Sequence, residues 1–362
     1  MKQKLAAEFF AGIGLVRMAL ERTGWQVTFA NDIDPAKFTM YRDNFGGQDF
    51  FLGDVASIPA ERVPSIALAT ASFPCVDLSL AGNRTGLNGG QSSAYWKFQK
   101  LIEDMGGRRP RAILLENVVG LLSSSDGQDL RSIIASLCKL GYSCDLLMVD
   151  AVYFVPQSRQ RLFVIASLTA HPTQLFDLPA HEARPKQVVE FIQKHRGLTW
   201  SHVPLPPLPP KQSNLATFVE RLNNDAPEWW DSYRQKHLFS QMSPTHRKLL
   251  RHLMESKRLA FATVYKRVRP AGCRAELRAD GIAGCLRTPR GGSSKQFVIQ
   301  AGRGEWRVRN MTAREYARLQ GVPDSFKISV PYNQALFGFG DAVCIPVVEW
   351  VIRHAVAPAF PK

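Results

Sequence analysis

The stretch that decides the fold is Leu5-Ala6-Ala7-Glu8-Phe9-Phe10-Ala11-Gly12-Ile13-Gly14, near the start of the chain. It is a short apolar run that ends in a glycine-rich turn. Leu15–Arg22 follows with the spacing of a helix, which Gly24 ends. A strand that leads through such a turn into a helix predicts an open α/β sheet. It also predicts a ligand site where the turn lets a ligand approach the main chain.

The alternation of apolar runs and helical patterns continues to about residue 170. A regular α/β pattern returns at residues 312–319 and 343–354. Because strands that alternate with helices form parallel sheets, a mainly parallel α/β fold is expected. The predicted strands of this part are residues 5–10, 25–30, 50–52, 66–72, 112–115, 144–149 and 161–166.

Acidic residues follow the second and third predicted strands. Asp32 is placed to bind ribose hydroxyls, and Asp54 is placed to accept a hydrogen bond from an adenine amino group. The turn fits poorly with a pyrophosphate site, because Arg17 stands where the dinucleotide pattern has its third glycine. A nucleoside cofactor without phosphates is favoured, and S-adenosylmethionine is the candidate.

Eight motifs in order resemble those of the C5-cytosine DNA methyltransferases of bacterial type. The resemblance covers roughly residues 1–170 and 285–362. It implies a Rossmann-like, S-adenosylmethionine-dependent methyltransferase domain at 1–170, a target-recognition domain at 171–309, and a return to the catalytic domain at 310–362. The motifs lie at residues 10–14, 31–34, 53–55, 73–79, 116–118, 157–161, 309–324 and 340–343.

The resemblance implies four catalytic residues, Cys75, Glu116, Arg159 and Arg161. Carbon 5 of cytosine is too weak a nucleophile to take a methyl group directly, and addition of a thiolate at C6 activates it. Cys75 is the nucleophile, and Glu116 binds N3 and the exocyclic amine. The two arginines hold cytosine O2 and nearby carboxylate or phosphate groups.

Further residues are implied for the cofactor and for DNA. Asp341 stands where the family usually has Asn. The cofactor set is Phe10, Gly12, Ile13, Gly14, Asp32, Ile33, Asp54, Val55, Pro74, Asp341 and Ala342. The substrate and DNA set is Ser79, Arg84, Asn117, Arg287, Arg290 and Lys295.

The charge of the chain is concentrated in one segment. The 362 residues carry a net charge of +15, and residues 171–309 hold 24 Lys and Arg against 11 Asp and Glu, which leaves +13 there. A basic segment beside a near-neutral one indicates that it binds a polyanion. We expect it to read double-stranded DNA, from which the target cytosine is flipped out.

Composition and cysteine spacing exclude several other classes of protein. The six cysteines form neither a CxxC pair nor a zinc-like cluster, so no metal site and no disulfide scaffold are expected. No membrane span is expected, and a cytoplasmic protein that acts as a monomer on DNA is predicted. A tRNA cytosine-C5 methyltransferase and an inactive DNA-binding homologue are the alternatives. The sequence leaves open whether a cognate restriction endonuclease or another defence system is a partner.

Overall fold

A computed structural model of the chain divides by packing into two units. The first comprises Met1–Asp150, Gln160–Leu208 and Ile345–Lys362, and the second comprises Ala151–Arg159 and Pro209–Cys344. The structure describes residues 4–74, 93–169, 181–269, 272–289 and 294–360.

A seven-stranded sheet forms the centre of the first unit. Its strands are β1 (Leu5–Phe9), β2 (Gln26–Asp32), β3 (Phe50–Leu52), β4 (Leu68–Ala71), β5 (Ala112–Val118), β6 (Ser143–Asp150) and β7 (Gln160–Ser167). Six strands run in one direction, and β7 is antiparallel to both of its neighbours. The sheet confirms the predicted Rossmann-like α/β class. The strand order across the sheet is β3-β2-β1-β4-β5-β7-β6.

The central strands are almost wholly apolar because both faces of a parallel sheet are covered. All four residues of β4 are buried, as are the first six of β5. Glu8 in β1 is a charged exception, with 1% of its surface exposed. The first five helices along the chain belong to this unit. They are α1 (Leu15–Arg22), α2 (Pro35–Phe45), α3 (Ser93–Asp104), α4 (Gln128–Lys139) and α5 (Lys186–Lys194).

Local chemistry sets the ends of the first two helices. Helix α1 has the predicted bounds, and Gly24 beyond it has a φ of +82°. Helix α2 begins where Asp34 accepts hydrogen bonds from the main-chain nitrogens of Ala36 and Lys37, with Pro35 at the first helical position. Both helices therefore begin directly after the strand ends that carry the predicted cofactor residues.

A four-stranded antiparallel sheet forms the core of the second unit. Its strands are β8 (Ala260–Arg269), β9 (Gly272–Arg278), β10 (Gln296–Gly302) and β11 (Glu305–Asn310), in the order β11-β10-β8-β9. Leu238, Met242 and Leu250 pack with Val264 and Ile299 in its apolar cluster. The helices of this unit are α6 (Ser232–Ser240), α7 (Pro244–Glu255), α8 (Ala313–Leu319) and α9 (Tyr332–Asp341).

The chain returns to the first unit with α10 (Ile345–Val351), which continues into a π-helical turn at Ile352–Val356. By length and composition, Tyr332–Ala359 would pass as a membrane span, and it is the one such stretch within the described ranges. Within this stretch, 72% of the 18-residue apolar window is buried inside the protein. Burial of that extent is typical of the core of a globular protein, so this stretch is weak support for a membrane segment.

The packing division follows different boundaries from the predicted functional domains. Residues 181–208 belong to the first unit, and residues 310–344 belong to the second. The division describes packing and carries no information about DNA recognition. The target-recognition role of residues 171–309 therefore stays a prediction.

Candidate active site

The glycine-rich turn after β1 is held tightly against α2. Gly12 and Gly14 have φ values of +56° and +82°, in the region that favours glycine. A Cβ on Gly14 would lie 2.4 Å from Cε2 of Phe45 and 2.9 Å from Cδ2 of Tyr41. A Cβ on Gly12 would meet nothing within 4 Å. The turn is thus packed at Gly14 and open at Gly12, where a ligand could approach.

The carboxylate of Asp32 connects the turn after β1 to the main chain just after β2. It is the last residue of β2, where sequence reasoning placed it just beyond the strand, and 7% of its surface is exposed. Its two carboxylate oxygens accept hydrogen bonds from the main-chain nitrogens of Gly12 at 2.7 Å and Asp34 at 2.9 Å. Each oxygen can accept a second bond, so the predicted contact with ribose stays a prediction.

Apolar side chains surround these polar groups at three neighbouring strand ends. Ile33 is 66% exposed and Leu52 is 45% exposed. The ring of Phe10 packs edge-on against Phe98, and Phe10 has a φ of +56°. Exposed apolar groups beside a carboxylate fit the flat, hydrogen-bonding adenosine of S-adenosylmethionine.

Two members of the predicted cofactor set cannot offer their side chains. Ile13 is 1% exposed and Val55 is 3% exposed, and the side chain of Val55 belongs to the apolar core. Only their main-chain atoms remain for a ligand.

Asp54 has a partner that the sequence did not predict. Its carboxylate caps the turn at Val55–Ser57 by accepting from the nitrogen of Ala56, and Nζ of Lys97 lies 2.7 Å from Oδ2. The hydrogen bond from Lys97, followed by that from Ala56, holds the pKa of Asp54 below its usual value. Lys97 lies on α3, and a lysine in a helical pattern ordinarily indicates only a solvated face.

Glu8, in strand β1, is an acidic group that sequence reasoning did not assign to the site. Burial raises the pKa of its carboxyl to about 8, so it is mostly protonated at neutral pH. Oε1 accepts a hydrogen bond from the main-chain nitrogen of Arg17. Within the described part of the chain, Oε2 is buried without a hydrogen-bond partner. Glu8 lies two residues before Phe10, which belongs to the predicted cofactor set.

The next strand end leads to the predicted nucleophile. Phe73, beyond β4, is buried and Pro74 is exposed. The buried side chain of Asn117 donates to the carbonyl of Phe73 at 3.2 Å and accepts from the nitrogen of Val118 at 2.9 Å. Asn117 therefore holds the main chain of Phe73, two residues before Cys75, and its predicted contact with DNA stays a prediction. Cys75, Ser79, Arg84 and Arg290 lie outside the described residues.

Glu116 and Arg161 form an ion pair on adjacent strands. Strand β5 continues through Glu116 to Val118, three residues beyond the predicted end, because β7 pairs with it along this length. Nε of Arg161 lies 3.0 Å from Oε1 of Glu116, and the side chains are 15% and 10% exposed. The pair is sheltered from solvent but still reachable, as a group that binds substrate must be.

Arg159, two residues earlier, is placed differently from its expected contact with cytosine. It belongs to the second unit and is 2% exposed. Its terminal nitrogens donate to the carbonyls of Leu286 at 2.7 Å, Gly340 at 3.0 Å and Ala342 at 2.6 Å. A contact with a base would have to replace these bonds, so the geometry supports a role in holding main chain.

The remaining predicted residues lie in the second unit. Asp341 is the exposed last residue of α9, and Ala342 follows it. Arg287 is exposed, and its main chain packs so closely on Gly340 that a Cβ there would lie 2.7 Å from the carbonyl carbon of Arg287. Lys295 donates to Oδ1 of Asn333 at 2.9 Å, so it is already partly engaged.

A cluster of metal-binding side chains is not found in the ranges that the structure describes. No group of three or more His, Cys, Asp or Glu side chains there could hold a metal ion.

Comparison with known proteins gives a consistent result. The family model described as C-5 cytosine-specific DNA methylase matches residues 6–357. The Type II methyltransferase M.NgoBI of Neisseria gonorrhoeae is 26% identical over 98% of this chain and 93% of its own length. M.DsaV of Dactylococcopsis salina is 28% identical over 98% and 87%.

Solved structures agree on the fold. The crystal structure of S. pombe Dnmt2 methyltransferase has a TM-score of 0.64 at 18% identity, covering 99% of this chain and 100% of that one. A putative DNA modification methyltransferase encoded within an E. coli prophage has a TM-score of 0.57 at 18% identity, with 96% and 97% covered. At this identity the likeness concerns the fold alone.

Proposed function

The chain belongs to the C-5 cytosine-specific DNA methylase family, and from that premise we propose which residues carry the reaction. The chain is a DNA cytosine-5-methyltransferase that uses S-adenosylmethionine. The observation that carries the assignment of roles is the sheltered Glu116–Arg161 pair, beside the strand end that leads to Cys75.

Cys75 is the nucleophile. Its thiolate forms a bond to C6 of the flipped cytosine, and the electron pair of the C5–C6 double bond then makes C5 nucleophilic. S-adenosylmethionine supplies the methyl group when it is bound. After C5 carries the methyl group, a base removes the C5 proton, the double bond re-forms and the bond between sulfur and C6 breaks. Support for this role comes from Asn117, which fixes the carbonyl of Phe73 just before Pro74.

Glu116 binds the edge of the cytosine through N3 and the exocyclic amine. Arg161 acts as a positioning residue, because its Nε bond to Oε1 orients the carboxyl group. A proton shared between Glu116 and N3 draws electron density from the ring while the thiolate attacks C6.

Arg159 is also a positioning residue. Its bonds to the carbonyls of Leu286, Gly340 and Ala342 join three segments of the second unit. Asp341 and Ala342 lie in one of them, and both belong to the set predicted to hold the cofactor.

The adenosine of the cofactor is held by the first three strand ends. Asp32 binds ribose hydroxyls through its remaining lone pairs, and Phe10 and Ile33 flank the base. Asp54 receives the adenine amino group alongside Lys97. The open space at Gly12 is where the main chain approaches the cofactor.

The nucleic acid is double-stranded DNA, and the basic segment 171–309 reads its sequence. Many phosphate contacts from this segment give a binding constant that falls steeply with salt. Arg287 is exposed and fits this role, whereas Lys295 must first release Asn333. The enzyme acts in the cytoplasm as a monomer on DNA, and a cognate restriction endonuclease is the expected functional partner.

One assay tests the proposed substrate and nucleophile together. Tritiated methyl transfer from S-adenosylmethionine is measured with duplex DNA and with tRNA, and Cys75→Ala is the control. We expect label in DNA from the wild type only. Label in tRNA but not in DNA would contradict the substrate, and label from Cys75→Ala would contradict the nucleophile.

A further inference from the structure

A pocket in the second unit is lined by none of the individual site residues named above. It has a volume of about 280 Å³ and is formed by α6, the segment before it, and strands β8, β10 and β11. Its lining combines aromatic rings with cations and one amide. The lining residues are Trp230, Tyr233, Arg234, His237, Lys266, Phe297 and Asn310.

The cations of the pocket are held by rings and not by carboxylates. The guanidinium of Arg234 lies 4.3 Å from the ring centroid of Trp230, and Nζ of Lys266 lies 5.9 Å from it. No Asp or Glu lines the pocket, and among the described residues neither cation forms an ion pair. Asp231 is nearby, but its carboxylate accepts from the nitrogen of Arg234 and caps α6. Two cations without a carboxylate partner are suited to an anionic ligand.

The rings divide into a buried floor and an exposed wall. Trp230 and Phe297 are 8% and 7% exposed, and their centroids lie 4.9 Å apart. Tyr233 is 81% exposed, which is unusual for a side chain of its size. An exposed ring beside paired cations is the combination that proteins use to bind unstacked nucleotides, with the base on the ring and the phosphate on the cations.

We propose that this pocket binds one unstacked nucleotide of a DNA strand, with its phosphate at Arg234 and Lys266 and its base on Tyr233. The choice of DNA as the source rests on the proposed function. The two cations select an anion, and the exposed ring selects an anion that carries a planar group. A nucleotide has both, and a volume of about 280 Å³ admits one base.

Binding of an eight-nucleotide oligothymidylate, measured by fluorescence anisotropy at low salt, tests whether the pocket binds a nucleotide. This probe contains no cytosine, so it offers no substrate to the catalytic residues. Tyr233→Ala and Arg234→Gln should each weaken binding about tenfold, and Tyr233→Phe should bind like the wild type because it keeps the ring. Lys236→Gln is the matched control, since Lys236 is an exposed cation on the same helix that does not line the pocket.

The outcomes separate a nucleotide site from general electrostatic attraction. Wild-type affinity in Tyr233→Ala would overturn the proposal, as would equal losses in Arg234→Gln and Lys236→Gln. Competition with inorganic phosphate and with thymidine 5′-monophosphate separates the two parts of the ligand. The nucleotide should compete at least tenfold better than phosphate, and equal competition would overturn the role of the base.

Photo-crosslinking locates the contact. Oligothymidylate with one 5-iododeoxyuridine should crosslink to the peptide that contains Tyr233, and crosslinks confined to other peptides would overturn the proposal. Methyl transfer to duplex DNA is measured on the same preparations. Transfer without a crosslink at Tyr233 refutes the pocket alone, and a crosslink without transfer refutes the proposed enzymatic function alone.

Discussion

Two arginine–carboxylate pairs in this chain share their chemistry and differ in their surroundings. Arg161 and Glu116 are 15% and 10% exposed, with Nε and Oε1 3.0 Å apart. Arg309 and Glu315 are fully buried, and Glu315 accepts two bonds from Arg309 and two more from main-chain nitrogens. A carboxylate with four donors has little left for a substrate, whereas a sheltered but reachable one can bind it. The number of donors already bound to the carboxylate, and not the ion pair itself, distinguishes the candidate catalytic pair from the structural pair.

The same difference separates two arginines of one motif. Arg161 faces a carboxylate in the sheet of the first unit, and Arg159 is buried among carbonyls of the second. The two side chains have different surroundings, and the two-residue spacing in the sequence does not reveal this difference.

Glu116→Gln should produce the largest effect. Loss of the acid removes proton sharing with N3, so kcat for methyl transfer should fall by about 100-fold or more. The midpoint of thermal unfolding should hardly change, because the amide keeps the shape of the side chain. Glu315→Gln is the matched control, and it should lose stability while its folded fraction stays active. If Glu116→Gln transferred methyl groups at the wild-type rate, the catalytic half of the comparison would be wrong.

Arg309→Met tests the structural half of the comparison. Removing the cation leaves a fully buried carboxylate unpaired, and breaking such a pair costs about 3–5 kcal/mol of unfolding free energy. Arg267→Met provides the control, since Arg267 is 48% exposed beside Glu276 and such pairs contribute at most about 1 kcal/mol. Denaturant unfolding measures both. Equal stabilities would show that burial does not distinguish these pairs.

Asp32→Ala should have an intermediate effect, because Asp32 bonds main chain and is also predicted to bind ribose. Affinity for S-adenosylmethionine should fall by roughly 1–3 kcal/mol, measured by calorimetry. Asp43→Ala serves as the comparison, since Asp43 is a surface partner of Arg42. A dissociation constant for Asp32→Ala equal to that of the wild type would refute the placement of the cofactor.

Glu8 gives the smallest expected effect, a dependence of stability on pH. Its pKa is raised by burial to about 8, so the folded state holds a proton that the unfolded state releases near pH 4.5. Stability therefore falls as pH rises between these values. From pH 7 to pH 8 the loss is below about 1.4 kcal/mol, and Glu8→Gln should not show it. Thermal unfolding of both proteins at the two pH values tests this, and parallel shifts would contradict the assignment.

Much of the fold follows from the sequence. Apolar runs that end in turns predicted the seven strands of the first unit and helix α1, because a parallel sheet buries both faces and leaves a continuous apolar signal. The antiparallel direction of β7 was not predicted, since an apolar run has the same pattern in either direction. The extension of β5 through Glu116 was also missed, because polar side chains interrupt the apolar run while the main chain keeps pairing.

The site was predicted in part. Arg161 was predicted to contact a nearby carboxylate. The structure places it beside the carboxylate of Glu116, since the two motifs lie at neighbouring strand ends. Lys97, the unsatisfied oxygen of Glu8 and the carbonyl partners of Arg159 were not predicted. These features depend on contacts between residues far apart in the chain, and no local pattern encodes such contacts.

Covalent trapping tests the central claim most directly. Long duplex DNA in which 5-fluorocytosine replaces cytosine contains the recognition sequence whatever it is, and fluorine at C5 cannot leave as a proton does. With S-adenosylmethionine, the wild type should form a covalent complex that survives denaturation and maps to Cys75, and Cys75→Ala should form none. If the wild type methylates ordinary DNA but forms no such complex with the fluorinated DNA, thiolate addition at C6 is contradicted.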